Sequence, residues 1–449
     1  MKRKLLFSAF GPVTTVLASV VLGTSPSLVA ASASAEGGAT RIVFASGSDG
    51  SGTVQRSIEE FNASHAGRIQ VTWRQMDPSN DVHHRQLLAD LAAGEVPQVI
   101  ASDVVWTAEL ARHGWVEDLT RRFYGAYDRD AFLGPALQSA TWRLRIWGVP
   151  WYTDAGVLFY RRDLLAQSGF EAPPRTWDEL ARVARQVQGD SGIRHGFVFQ
   201  GAEYEGGTVN AAEYIWGAGG EIMRGELRIT SPLRGTVVET DAITIDSEEA
   251  AQGLDMARRM IVEGITPAEV ATFREQEALD VFLSGNAVFL RSWPYVHALL
   301  EGAALPEAAV GVAPLPALSA ERAGTSCLGG WNLMVSARAD DEEQDAAWEL
   351  IRYLTSAEQQ KRRALEAGLL PVLVTLYEDP EVLARAPVVA LARETMSARV
   401  RVRPMSPFYP EMSSRIASAF HAVLEGDLTG SQAVERLDVE LRDIAVRNR

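Results

Sequence analysis

The sequence predicts an α/β protein built as two lobes, and three observations predict it. Strand-like and helix-like apolar periods alternate from the first ordered segment onward. A second α/β unit opens near residue 173 with its own helix-start signal. The chain has 449 residues, 47% hydrophobic and 22% charged, which is enough for two separate cores.

In order, Arg41 to Ala45 reads as a strand, and a Gly/Ser/Asp loop runs from Ser46 to Gly52. Val54, Ile58 and Phe61 then recur at helical spacing. Ile69 to Trp73 predicts the next strand, Leu87, Leu88 and Leu91 a second helix, and Val99 to Ala101 a third strand ending near Asp103. Such alternation predicts a parallel sheet covered by helices, with ligands collecting at the carboxyl ends of its strands. Asp49 in the first loop and Asp103 after the third strand stand at those ends. Pro173 and Pro174 precede Thr176-Trp177-Asp178-Glu179, which has capping-box spacing. Helical spacing continues over Glu248 to Val262, Gly285 breaks the segment from Glu277 to Leu290, and the last hundred residues are mostly helical in pattern. No internal repeat is visible.

Lys2, Arg3 and Lys4 precede an uncharged run from Leu5 to about Leu22, and small residues lead to Ala33-Ser34-Ala35, an A-x-A cleavage pattern. Residues 1–35 are therefore read as a signal peptide, with an uncleaved anchor as the alternative. No cysteine near the cleavage point offers a lipid-anchor site, so an exported, freely diffusing protein is expected. Cys327 is the sole cysteine and forbids an intramolecular disulfide. Cleavage removes three positive charges and no acidic residue, taking the net charge from −15 to −18. Nucleic acid and anionic membranes are poor partners for such a chain.

Several chemistries lack support. The loop Gly47-Ser48-Asp49-Gly50-Ser51-Gly52 fits neither nucleotide-binding glycine spacing, no serine has the G-x-S-x-G elbow, and the histidines form no metal-ligand pattern. No cofactor and no metal are expected. What remains is aromatic residues beside polar groups: Trp151-Tyr152-Thr153-Asp154, Trp293-Pro294-Tyr295, Gly329-Gly330-Trp331 and Phe408-Tyr409-Pro410. A pyranose suits that combination, because its C–H face packs on an aromatic ring and its hydroxyls bond to carboxylates and arginine.

These segments resemble the extracellular solute-binding proteins of bacterial sugar importers, in the branch that binds trehalose and maltose. The likeness covers essentially the whole mature chain. It rests on Ala101-Ser102-Asp103-Val104-Val105-Trp106, on Tyr152 to Leu165, and on Tyr204-Glu205-Gly206 ahead of Ala218-Gly219-Gly220. Gly285-Asn286-Ala287 leading to Trp293-Pro294-Tyr295, the strand from Val310 to Pro316, Leu328-Gly329-Gly330-Trp331, and Arg403-Pro404 with Pro407 to Pro410 complete it.

The resemblance implies a two-lobed periplasmic-binding-protein-like fold of type II with a ligand cleft between the lobes. Residues 40–153 and 312–358 would form the N-terminal lobe, and 154–311 and 359–449 the C-terminal lobe. It further implies Asp103 and Asp154 as acceptors of sugar hydroxyls, and Tyr152, Trp293, Tyr295, Trp331 and Tyr409 as ring-lining aromatics. Gly329 and Gly330 would offer backbone amides and Arg403 would donate from the opposite wall. Tyr204 and Glu205 would lie at the site, and Asp49 is the nearest match to the family's acidic first-loop residue. The family's helical arginine falls near His83, His84 and Arg85 without a clear equivalent. The implied activity is capture without catalysis: hinge closure around an α-linked disaccharide by a monomer that hands it to an integral-membrane permease. A secreted glycoside hydrolase, or a receptor of the same fold for another sugar or polyol, is the alternative.

Overall fold

The computed structural model describes residues 38–447, except 78, 95–96, 230–236, 301–304 and 306. The expected signal segment lies outside the described residues. Among them, no helix is long and apolar enough to cross a membrane.

Two sheets organise the chain. In the first, the strands run in the order Val400–Arg401, Ser326–Val335, Val99–Asp103, Thr40–Gly47, Ile69–Met76, and Val149–Ala155 also pairs with Ser326–Val335. Thr40–Gly47 is parallel to both its neighbours, whereas Ser326–Val335 is antiparallel to Val99–Asp103 and Val149–Ala155. The second sheet has the order Val310–Ala313, Val157–Arg161, Ala287–Ser292, His195–Val198. Strands Val149–Ala155 and Val157–Arg161 are consecutive, so Gly156 is where the chain passes from one sheet to the other.

Local sequence accounts for the elements. Helix Thr53–Ser64 buries Val54, Ser57, Ile58 and Phe61, one stripe at the helical period. Helix Trp177–Ser191 begins with the expected capping box: Thr176 Oγ1 accepts the Glu179 amide at 3.2 Å, and the Glu179 carboxylate accepts the Thr176 amide at 3.3 Å. Gly285, at φ 78°, separates helix Glu275–Leu283 from strand Ala287–Ser292.

Each sheet has apolar clusters of its own. Ile42, Phe44, Phe61, Val99 and Leu333 belong to one cluster on the first sheet, and Ala45, Leu87, Ile100 and Met334 to another. On the second, Leu158, Trp177, Phe197, Ile215, Leu254 and Phe420 form one cluster and Phe159, Val198, Phe282 and Leu290 another. A fully buried Phe or Leu contributes roughly 1.5–3 kcal/mol, so each sheet carries a substantial core of its own.

The expected lobe boundaries at 312 and 358 do not follow this packing. Strand Val310–Ala313 belongs to the second sheet. Residues 359–398, assigned above to the C-terminal lobe, place Ala364, Leu370, Leu376, Val382, Val389 and Met396 in the same cluster as Ala45 and Ile100 of the first sheet. The helices there are amphipathic like any others, and only their tertiary partners reveal which sheet they cover.

Candidate ligand-binding site

Strand Ser326–Val335 carries the centre of the site. Trp331 lies directly opposite Asp103 on one neighbouring strand and Tyr152 on the other. Directly opposed residues of antiparallel strands project on the same face, so Asp103, Trp331 and Tyr152 form a row across three strands. Two residues along, Gly329 opposes Asp154. The register shifts between Trp331 and Asn332, a bulge of the kind that re-aims side chains beside sites.

The two glycines are explained by space. A Cβ on Gly329 would come within 3.0 Å of both Asp154 Cβ and the Trp293 ring, and one on Gly330, at φ 117°, would overlap the Tyr152 carbonyl. Gly330 also accepts the Val104 amide at 3.2 Å through its carbonyl. The Gly-Gly pair thus lets Asp154 and Trp293 meet across the strand.

Trp331 stacks on His83, with ring centres 5.1 Å apart and 23° between planes, and meets Trp106 edge-on at 5.5 Å. Burial, aided by neighbouring His84, lowers the His83 pKa to about 4, so this imidazole is neutral at physiological pH. His84 faces Glu109 at 2.6 Å, and Arg85 is exposed.

Trp293 has the Arg291 guanidinium 4.2 Å from its ring centre. Asp154 is part-buried, and among the described residues no hydrogen-bond donor reaches its carboxylate. Burial raises its pKa to about 8, against the opposing pull of Arg291. Burial likewise pushes Tyr152 and Tyr295 upward, with nearby acidic groups adding to the shift. An acceptor without a donor, walled by aromatic rings, is a place for hydroxyl groups.

A second cluster joins the end of strand Val99–Asp103 to the start of helix Glu205–Ala218. Arg403 pairs with Glu205, donates from Nη2 to the Leu328 carbonyl at 3.0 Å, and lies 3.8 Å from Asp103 Oδ1. Its side chain is 3% exposed, and its Nε has no acceptor. Asp103 accepts from Asn80 Nδ2 at 2.9 Å and from the Val105 amide at 3.1 Å; burial raises its pKa while Arg403 lowers it. Glu205 also accepts from the Tyr409 hydroxyl at 2.6 Å and from Ser413.

Four of the expected site residues have protein partners in this geometry. Tyr409 is 1% exposed and holds Glu205 instead of facing a ring. Glu205 is occupied by Arg403, Tyr409 and Ser413. Tyr204 stands before the helix with its hydroxyl packed toward Gly206 and the Arg274 guanidinium over its ring at 4.4 Å. Asp49 caps helix Thr53–Ser64: Oδ1 accepts from the Ser51 amide at 3.0 Å and the Ser51 hydroxyl at 2.5 Å, and Oδ2 from Thr53 Oγ1 at 3.0 Å and the Val54 amide at 2.7 Å. Burial pulls its pKa up, but these bonds outweigh it and hold the group below the ordinary carboxylate value.

Sequence reasoning missed Asn80, His83, the buried pair Glu213–Arg291, and Arg363, whose guanidinium lies 4.7 Å from the Tyr152 ring centre. None carries a local motif. A cavity of about 270 Å³ lined by Asn80, Trp106, Glu203, Glu205 and Tyr409 borders this region. A larger one of about 830 Å³, lined by Trp142, Arg143, Trp216, Arg401 and Met405, shares only Arg403 with the expected residues. Convergence of acceptors and aromatic rings, more than volume, marks the candidate site.

The pattern of the bacterial extracellular solute-binding protein family matches residues 45–361. A Deinococcus radiodurans protein named "Probable ABC transporter-binding protein" is 32% identical over 443 residues, covering 96% of this chain and 99% of its own. The chain belongs to the bacterial extracellular solute-binding protein family. A solved structure described as maltose-bound MalE3 of T. maritima is similar to this solute-binding protein at 35% identity and a TM-score of 0.79, over 90% of this chain and 100% of that one. The galactooligosaccharide-binding protein of Bacillus subtilis is 23% identical, covering 85% of this chain and 84% of its own. The family matches the two-sheet α/β architecture described above, and the relatives are named as binding proteins.

Proposed function

We propose that this solute-binding protein is the exported receptor of an ABC importer and captures a small neutral oligosaccharide, an α-linked disaccharide such as maltose or trehalose, without turning it over. The observation that carries the reading is the donor-free Asp154 carboxylate beside Trp293, in line with the row Asp103–Trp331–Tyr152. Carboxyl oxygens accept sugar hydroxyls, by charge-assisted bonds once binding releases the Asp154 proton, and rings cover the C–H face. The 35% identical neighbour described as maltose-bound supports the choice of sugar.

In this reading the sheets with their helices act as two lobes, with 359–398 counted in the N-terminal one, and the ligand favours the state in which groups from both lobes touch it. Residues 1–35 direct export, and the closed monomer is what a separate permease reads.

A thermal-shift panel of the mature protein against maltose, trehalose, sucrose, glucose, tagatose, ribitol and amino acids tests the reading, with calorimetry on each hit. A ligand at about 100 times its Kd stabilises the folded state by roughly 2.7 kcal/mol, a clear rise in Tm. Selective response to an α-linked disaccharide is the expected outcome. Response only to amino acids, or to no sugar at all, overturns it.

A further inference from the structure

We infer that Arg363 is a ligand-reading residue of this same site, donating to a pair of sugar hydroxyl oxygens alongside Tyr152; the inference rests on the sugar-binding reading above. Arg363 stands on helix Ala357–Ala367 and is 6% exposed. Its guanidinium carbon lies 3.8 Å from the Trp151 ring centre and 4.7 Å from that of Tyr152. Among the described residues Nε and Nη1 are buried with no hydrogen-bond partner, and the Trp151 indole N–H is likewise buried and unpartnered.

The neighbours on the same helix behave differently. Lys361 pairs with Asp379 at 2.8 Å and Arg362 with Glu60 at 2.6 Å, both on the outer surface. Arg363 is turned inward, and no carboxylate is within ion-pair distance of it among the described residues. Asp49, the nearby acid that acts on its charge, already accepts from Ser51, Thr53 and Val54. Burial lowers the Arg363 pKa to about 10, so it remains charged at neutral pH. A buried cation with unused donors is costly unless something supplies acceptors. The donors here are fixed against two rings, one of them the Tyr152 of the ligand row.

The charge around it selects the kind of oxygen. Asp49, Asp103 and Glu205 outnumber the cations Arg363 and Arg403, while Asp154 is mostly protonated at neutral pH and Glu213 and Arg291 cancel. An anionic sugar would add to that excess, so neutral hydroxyls are the fitting acceptors. The Nε and Nη1 hydrogens are held in one plane but point in different directions, so they reach two separate hydroxyl oxygens. Arg363 is thereby a residue that helps to decide which sugar is held.

The test compares wild type with Arg363→Met and Arg363→Lys, using unliganded thermal unfolding and calorimetric titration with maltose, trehalose and a glucuronate-bearing disaccharide. Arg363→Met is expected to unfold no earlier than wild type without sugar, since it removes an unpaired buried charge. It should bind the neutral disaccharide about ten-fold more weakly or worse. Normal affinity in Arg363→Met overturns the inference and leaves the sugar reading standing. If Arg363→Met also loses stability, Arg363→Lys decides: recovery of stability without affinity supports the inference, whereas joint recovery makes the arginine structural. Tighter binding of the anionic sugar by wild type, lost in both variants, overturns the neutral-hydroxyl part. A wild type that binds no sugar brings down the parent reading, and this one with it.

Discussion

Glu213 and Arg291 form a buried two-pronged ion pair, Nε to Oε2 at 2.7 Å and Nη2 to Oε1 at 2.6 Å, pressed against Gly156 where the chain passes between the sheets. Glu213 Oε1 also accepts the Cys327 amide at 3.0 Å, and Ser326 Oγ donates to the Gly156 carbonyl at 2.6 Å. Strand Ser326–Val335 is thus tied both to the pair, through Cys327, and to the passage, through Ser326. Glu213→Gln leaves Arg291 charged and half-partnered, so a loss of about 3–5 kcal/mol is expected. Denaturant unfolding measures it; a loss below about 1 kcal/mol would show that the pair is dispensable.

Trp331→Ala removes the platform of the row and the partner of His83 and Trp106. Sugar affinity should fall by about two orders of magnitude or more, and the unliganded protein should lose about 1–3 kcal/mol as the stack is broken. Titration calorimetry and unfolding read the two effects separately. Unaltered affinity would remove Trp331 from the site.

Asp154 makes stability depend on pH. Its folded pKa of about 8 lies above the ordinary 3.8, so the unfolded chain ionises first. The contribution is fully present below about pH 4 and is lost as pH rises through 8, at no more than about 1.4 kcal/mol per unit. Asp154→Asn should therefore gain on wild type between pH 5 and pH 9 in unfolding experiments. Ligand hydroxyls favour the ionised carboxylate, so wild-type affinity should climb toward pH 8 with proton release on binding, detectable by calorimetry in buffers of different ionisation heat. A flat profile identical in wild type and Asp154→Asn would contradict this assignment.

Asp49→Ala separates a cap from a ligand contact. Loss of the cap on helix Thr53–Ser64 should cost about 0.5–2 kcal/mol, while sugar affinity stays within about two-fold. A large affinity loss without a stability loss would restore the ligand role that the resemblance implied.

Much of the fold is legible because its signals are local. Helix Glu248–Val262 follows its apolar period, Thr176 and Glu179 form the box their spacing announces, and Gly285 breaks the chain where it must. The row of the site is legible in part, since Tyr152, Asp154, Gly329 and Trp331 fall on two adjacent strands. The rest depends on partners distant in sequence. Glu205 meets Arg403 across 198 positions, and Arg291 meets Glu213 across 78. Asp49 differs the other way: its carboxylate accepts from residues two to five positions ahead, a turn chemistry that the loop sequence contains. Helices 359–398 are amphipathic toward a sheet whose identity no period encodes.

The contact of Arg403 with Glu205 and its approach to Asp103 set protein partners in competition with any sugar that engages these groups. A sugar that engages Asp103 or Arg403 exchanges hydroxyls for partners already in place, and affinity reports only the difference between the two networks. Selection can therefore retune such a protein through residues around the pair: loosening Tyr409 or Ser413 around Glu205 changes how firmly Glu205 holds Arg403. Scavenging at low solute and rapid unloading at the membrane become opposite settings of one internal balance.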